Sequence, residues 1–463
     1  GELQTRLGEL PGATPLRRAL LDRVRSWLDE VRAAAGDRPE LLRTVAELYR
    51  TTAGIQGAGN GLSEPERAVA TLDVGLGLLE HLHRNAPADP ELTLALATGR
   101  LERAGFLLET AQLDEFERLL ADADALAGTV RETDATRDVL QVYRARRLFA
   151  RAQLDRQHGR WAEAAVGFGK GLALLPVPKH DAGLRAWQRR LEVMMLRLEA
   201  IWNSGDDAGA KKCWNELLPQ IERLLTPQDR SVSARLLRAH VHRHRADFWY
   251  YMDGDKVQAE RAYRAAAAEL RPLRTADPDN SGYIHRLSLV VSRLVTLLLT
   301  DRRGADALPL AEEDVALQRE NLRAAPESER GRLNLRIALR QLAAVHLVRE
   351  DVDSCGRISR EALQLAEVLA AGQPNSPDHQ IALAESEAAM GHWEWSRAMR
   401  AVKADRDVTE FVQAARARWV KAVALFRRVA EQHPRYWGAQ SQRTSTEALI
   451  AQCDKLFAQP KHR

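Results

Sequence analysis

One residue spacing occurs twice in this 463-residue chain, at sites far apart. Ala164, Phe168, Gly171 and Pro176 stand at relative positions 0, +4, +7 and +12, and Ala422, Phe426, Val429 and Pro434 repeat the spacing. Offsets of four and seven return to one face of an α-helix, so the first three residues share a stripe. The small residues let a second helix approach closely, the aromatic fills the gap between neighbours, and the proline ends the helix. Such a chain is constrained to a stack of helical hairpins, each packing only on its neighbours.

Composition agrees. The chain is 45% hydrophobic, 29% charged and 5% aromatic, which excludes a disordered chain. A length of 463 residues exceeds what one compact core sustains, a limit that a stack of repeats escapes. The net charge of +4 reflects 68 basic against 64 acidic residues, so no nucleic-acid partner is expected. Only nine of the basic residues are lysine; the rest are arginine, which suits two-pronged binding of carboxylates and phosphates. Cys213, Cys355 and Cys453 are far apart, odd in number and in no CxxC pair, so neither a zinc site nor a disulfide framework is expected. No unbroken apolar run reaches the roughly 18–20 residues of a membrane span. The chain opens at Gly1 without Met, and an upstream anchor is compatible with that.

Apolar residues fall at i, i+3, i+4 and i+7 almost throughout. Leu20, Leu21, Val24, Leu28 and Val31 form one stripe of a first helix over 15–35, and Pro39 opens a second. Glycine-rich 54–61 reads as a loop. Breaks down the chain separate about eighteen helices, or nine hairpins. The polar stretch 397–410 reads as an insertion between two hairpin helices, either a helical extension or a loop. The expected organisation is therefore a hairpin array over 1–396, an insertion at 397–410, and C-terminal helices with a capping tail over 411–463.

The recurring spacing resembles the second helix of a tetratricopeptide repeat (TPR), and the breaks suggest a repeat length near that of TPR units. That resemblance implies an all-α fold: a right-handed α-solenoid of about nine degenerate TPR-like hairpins. The opening is more specific. Leu10-Pro11-Gly12-Ala13-Thr14-Pro15 precedes an arginine-rich helix, then Leu41-Leu42-Arg43-Thr44-Val45-Ala46-Glu47-Leu48-Tyr49 and Ile55-Gln56-Gly57. Residues 9–85 resemble the start of the C-terminal TPR region of bacterial eukaryotic-like, membrane-bound serine/threonine protein kinases. Ala13 stands where that family often has Ser, and its Asn-Leu-Gly-Asp run is absent. The resemblance implies a sensor or interaction module on the extracytoplasmic side of the inner membrane, with the kinase and membrane helix upstream. Without it the expected location is cytoplasmic. No kinase motif lies in this chain, so no catalytic residue is carried over.

The constellations that could carry chemistry each have a plainer reading. Gly167-Phe168-Gly169-Lys170-Gly171 imitates a phosphate loop but lies inside a repeat helix and lacks the GKS/T ending. His240 and His244 share a helix face at a two-ligand spacing, and Asp247 could add a carboxylate, but Arg238, Arg243 and Arg245 surround them. Arg144, Arg147 and Arg151, and again Arg235, Arg238 and Arg245, lie in expected first helices. In TPR stacks these helices line the groove, where arginine would clamp an acidic peptide. Trp249, Tyr250 and Tyr251 are consecutive, so they cannot all face a core; Trp249 and Tyr250 join the groove candidates. Ala164, Phe168, Gly171, Pro176, Ala422, Phe426 and Pro434 are assigned to packing. No cofactor, metal or catalytic set is expected. The resulting expectation is a non-enzymatic scaffold for a protein or peptide, with self-association open to it. A free-standing assembly scaffold and a metal-dependent enzyme at His240/His244 are the alternatives.

Overall fold

The computed structural model describes residues 10, 12–57, 62, 64–108, 113–178, 184–224, 229–324, 326–433 and 437–457. Among them are eighteen α-helices and no strand. They are α1 (Thr14–Ala35), α2 (Pro39–Gly57), α3 (Pro65–Asn85), α4 (Pro90–Leu108), α5 (Leu113–Gly128), α6 (Arg137–Gln157), α7 (Trp161–Leu174), α8 (Leu184–Asn203) and α9 (Asp207–Leu224). Next come α10 (Val232–Phe248), a π-helical turn (Trp249–Asp253), α11 (Lys256–Ala276), α12 (Ser281–Thr300), α13 (Gly304–Ala324) and α14 (Glu329–Val348). The last four are α15 (Val352–Gly372), α16 (Pro377–Lys403), α17 (Thr409–Gln432) and α18 (Trp437–Phe457).

The chain forms two compact units. Unit 1 holds Gly1–Phe248 and Ala265–His285; unit 2 holds Trp249–Arg264 and Arg286–Arg463. In each, sequential helices pack as hairpins: α2 on α3, α4 on α5, α6 on α7 and α8 on α9, then α14 on α15 and α16 on α17. First helices of successive hairpins also touch, α4 with α6, α8 with α10, and α14 with α16. This is an all-α solenoid.

The recurring spacing does what its geometry requires. Ala164, Phe168, Ala422 and Phe426 are all fully buried, and Val429 nearly so. Phe168 packs with Ala152, Leu172, Val193 and Ala200, and Phe426 with Ala384 and Ala422. Gly171 lies under the Phe149 ring, where an added Cβ would stand 2.4 Å from Cε1. Pro176 lies just beyond the end of α7, exposed, while Pro434 falls outside the described residues.

The turns inside the hairpins follow one pattern. Gly159, Gly205 and Gly254 sit there with φ of 70°, 85° and 68°, and Arg302, Glu350 and Asp405 at 54°, 59° and 52°. The left-handed residue lets the next N–H reach back to the helix's last free carbonyls. Arg160 N donates to Asp155 O, Asp206 to Ile201, Arg303 to Leu298, Asp351 to His346 and Arg406 to Ala401, always five residues back. The turns at 159, 205, 254, 302 and 350 recur every 46 to 49 residues. The expected TPR-like repeat length of roughly 34 residues is thus corrected, because both helices of most hairpins are near 20 residues long.

Two stretches that interrupt the pattern carry helix. Gly54–Gly57 continue α2, while 58–61 lie outside the described residues. Within 397–410, α16 runs on to Lys403 and α17 starts at Thr409, leaving only a short turn. Arg397 explains the extension: its guanidinium lies 5.0 Å from the Trp393 ring centroid and 4.3 Å from that of Phe411, joining the two helices. By length and composition α12 could cross a membrane, but 61% of its apolar window is buried, with Ile284, Leu287, Val291, Leu294, Val295 and Leu298 inside.

Candidate partner-binding site

The first helices are joined by polar contacts that run from hairpin to hairpin. In unit 1, Glu102 of α4 accepts two hydrogen bonds from Arg50 of α2, both 3.0 Å, and one from Arg146 of α6 at 2.8 Å. Arg156 of α6 continues the series to Glu199 of α8 at 3.1 Å. In unit 2, Arg336 of α14 donates to Glu385 of α16 at 2.9 Å, and Gln341 donates to Thr296 Oγ1 of α12 at 3.2 Å. Arg146 thus marks the face of α6 that meets the preceding first helix. At 100° per residue, Arg144, Arg147 and Arg151 point 100–160° away from it.

The arginines singled out from the sequence all have acidic neighbours. Arg144 pairs with Glu132 at 2.8 Å, Arg147 with Asp124 at 2.5 Å and Arg151 with Asp155 at 3.5 Å, their side chains 46–54% exposed. Arg235 and Arg238 both reach Glu269 of α11, at 3.5 and 2.8 Å, and Arg245 reaches Glu222 of α9 at 3.1 Å. These last three side chains are only 12–24% exposed. Their ion pairs hold α10 against α11 and α9 inside unit 1, so a partner carboxylate would have to displace Glu269 or Glu222.

Trp249 and Tyr250 lie in the only π-helical turn among the described residues. Here the returning bond runs six residues back, from Asp255 N to Trp249 O at 2.9 Å, where the other five turns span five. One extra residue is therefore inserted at the end of α10, and π-turns of this kind recur at functional positions. The insertion leaves none of the residues Trp249–Asp253 buried. Tyr251 is 39% exposed and packs edge-to-face on Tyr250, with ring centroids 4.6 Å apart. Arg293 of α12 donates to the Tyr251 hydroxyl at 2.7 Å, and the Tyr250 hydroxyl lies 3.5 Å from Thr300 Oγ1. The result is a half-exposed aromatic pair beside a guanidinium. Tyr251 belongs to the three consecutive aromatics that cannot all face a core, although Trp249 and Tyr250 were the groove candidates; Arg293 carries no signal in the sequence and is found only through its bond to Tyr251.

The His240–His244 pair does not assemble a metal site. The rings meet edge-on at 4.6 Å, and the Arg243 guanidinium donates to His244 Nε2, occupying the lone pair a metal would need. Among the described residues no group of three or more His, Cys, Asp or Glu is placed to hold a metal. Gly167–Gly171 lie within α7 and present no free loop. Cys213, Cys355 and Cys453 are free thiols buried in the core, and burial raises all three thiol pKa values, Cys355 and Cys453 to about 11.

One buried acid stands apart from these ion pairs. Asp314 of α13 is 2% exposed and faces Ser288 of α12, which also accepts a 2.7 Å bond from Gln318 Nε2. Burial raises its pKa to about 6, hydrogen bonds from Ser288 and Gln318 offset part of the rise, and Glu313 adds to it. Asp314 Oδ1 and Gln318 Oε1 have no donor.

No family model matches the chain, and no curated protein matches it. Three solved structures illustrate what it is similar to. The apo form of RapI is 9% identical over 80% of this chain and all of that one, with a TM-score of 0.41. Aspartyl phosphate phosphatase F from Bacillus subtilis is 11% identical over 88% and 95%, at 0.44. A signal-transduction ATPase from Pyrococcus horikoshii with a tetratricopeptide repeat sensor is 11% identical over 85% of this chain and 55% of that one, at 0.42. At these identities and scores the likeness carries no argument about function.

Proposed function

We propose that this chain is a non-catalytic helical-repeat scaffold that binds a protein or peptide, and that Tyr250, Tyr251 and Arg293 anchor the partner. The observation that carries the reading is the inserted π-turn residue, which holds two aromatic rings half-exposed beside a guanidinium. Large rigid aromatics and arginine are the side chains that most often dominate binding energy. An extended segment with an apolar side chain followed by a carboxylate fits this chemistry. Repeat stacking supports the reading, since such arrays present long continuous surfaces.

The test uses a displayed random peptide library selected on the purified chain. Tyr251→Ala and Arg293→Glu should each weaken the selected peptides at least about ten-fold. Val368→Glu, at an exposed position of α15, should leave affinity unchanged. Full affinity in both site variants, with circular dichroism unaltered, overturns the reading.

The resemblance of residues 9–85 suggests a finer role: the sensor or interaction module of a bacterial membrane-bound serine/threonine kinase, working outside the cytoplasm. Partner binding or self-association would then bias the attached enzyme. Fractionation of cells with an antibody to this chain tests it. A membrane-bound polypeptide far larger than 463 residues supports the kinase-attached form, and a free polypeptide of this size supports a stand-alone scaffold.

A further inference from the structure

Unit 1 returns on itself. Gly12, Ala13 and Thr14, which enter α1, lie against the corner between α11 and α12, more than 260 residues away in sequence. Thr14 N donates to Asp277 Oδ2 at 3.2 Å, and Asn280 Nδ2 donates to Thr14 Oγ1 at 3.0 Å. Beside them Ser281 Oγ donates to the Leu62 carbonyl at 3.1 Å. Ala13, Thr14, Arg17, Leu62, Asp277 and Asn280 are all less than 9% exposed. Gly12 has φ of +77°, and a Cβ there would stand 2.9 Å from the Ala276 carbonyl oxygen. Both the backbone conformation and the close approach call for glycine at this point.

We propose that Gly12–Thr14 is a strap that closes unit 1 and opens as a discrete element. Thr14 holds this corner through hydrogen bonds to Asp277 and Asn280, whereas apolar packing through Leu28, Val45 and Tyr49 holds α1 on α2. Elements with few apolar contacts open at a lower free energy than the core around them. The socket lies at Ala276–Ser281, and the chain leaves unit 1 at His285. The strap therefore ties the start of α1 to the corner between α11 and α12 within unit 1. This inference stands on the closure geometry and does not depend on the partner-binding reading.

The test is trypsin cleavage of the full chain, followed site by site by mass spectrometry. Gly12→Val puts a β-branched residue into the left-handed conformation and against Ala276 O. Thr14→Val is nearly isosteric and removes only the acceptor for Asn280. Cleavage at Arg17 and Arg18 should accelerate at least ten-fold in Gly12→Val and measurably in Thr14→Val, with cleavage at Arg147 and Arg151 of α6 unchanged. Unchanged cleavage at Arg17 and Arg18 in both variants overturns the strap. Parallel acceleration at the α6 sites also overturns it, because the contact would then belong to the unit's global fold. If Gly12→Val fails to fold, Thr14→Val decides alone.

Discussion

Asp314→Asn should stabilise unit 2, by an amount that depends on pH. Asp314 is buried without a cation among the groups that shift it, and its pKa rises from 3.8 to about 6. At about 1.4 kcal/mol per unit, the ionised carboxylate costs the fold about 3 kcal/mol once pH is well above 6. The sign follows from the raised value. The folded state holds the proton more tightly than the unfolded state, so the contribution is fully present below pH 3.8 and is lost as pH rises through about 6. Asparagine has no charge to desolvate and brings donors to a site where Asp314 Oδ1 and Gln318 Oε1 have none. Native-state hydrogen exchange of amides in α13 measures the local free energy of opening, the appropriate quantity in a repeat array. Comparing variant and parent at one pH cancels the chemical exchange rate. The variant should exchange about 100-fold more slowly at pH 7.5, and only about ten-fold more slowly at pH 5, where the parent carboxyl is mostly protonated in the fold. A ratio that does not change with pH, or a variant that exchanges faster, refutes the reasoning.

Further expectations follow from the packing. Phe168→Ala and Phe426→Ala each empty a fully buried site, and each should cost about 3–5 kcal/mol of local stability, read as faster exchange in the surrounding hairpin. Gly391→Ala places a Cβ 2.4 Å from Trp419 Nε1, which is fixed by its bond to the Ala388 carbonyl, and should destabilise α16–α17 by about 1–3 kcal/mol in urea unfolding. Glu350→Gly relieves a left-handed residue at a hairpin turn and breaks only an exposed ion pair to Lys403, so a gain of about 1 kcal/mol is expected.

Much of the fold is legible in residue order, and the reason is local. The first helix expected over 15–35 is α1 at Thr14–Ala35, and Pro39 opens α2 as its fixed φ favours. The 0, +4, +7 spacing marks buried residues at both ends of the chain, because helix geometry alone puts them on one face. Helix lengths were harder to read. Glycines 54–57 look like a break yet continue α2, and the polar run from 397, readable as helix or loop, is helix to Lys403, with Arg397 stacked on Trp393 and Phe411. The candidate site was half visible. Three consecutive aromatics force exposure, but the π-turn that presents them and the Arg293 that joins them require the three-dimensional register of α10 and α12.

The arginines divide along the same line. Their abundance and their placement on first helices are facts of sequence, whereas their partners come from other helices: Arg146 with Glu102, Arg238 with Glu269, Arg147 with Asp124. Arg238→Glu would set two glutamates against each other and loosen the α10–α11 hairpin, so it cannot report on binding alone. Residue order by itself determined a stack of helical hairpins, since periodicity, turn residues and small-residue contacts all act within some twenty to fifty residues. Only the tertiary structure decided that Thr14 meets Asp277 and that unit 1 closes, because that contact depends on small rotations between hairpins accumulated over more than 260 residues.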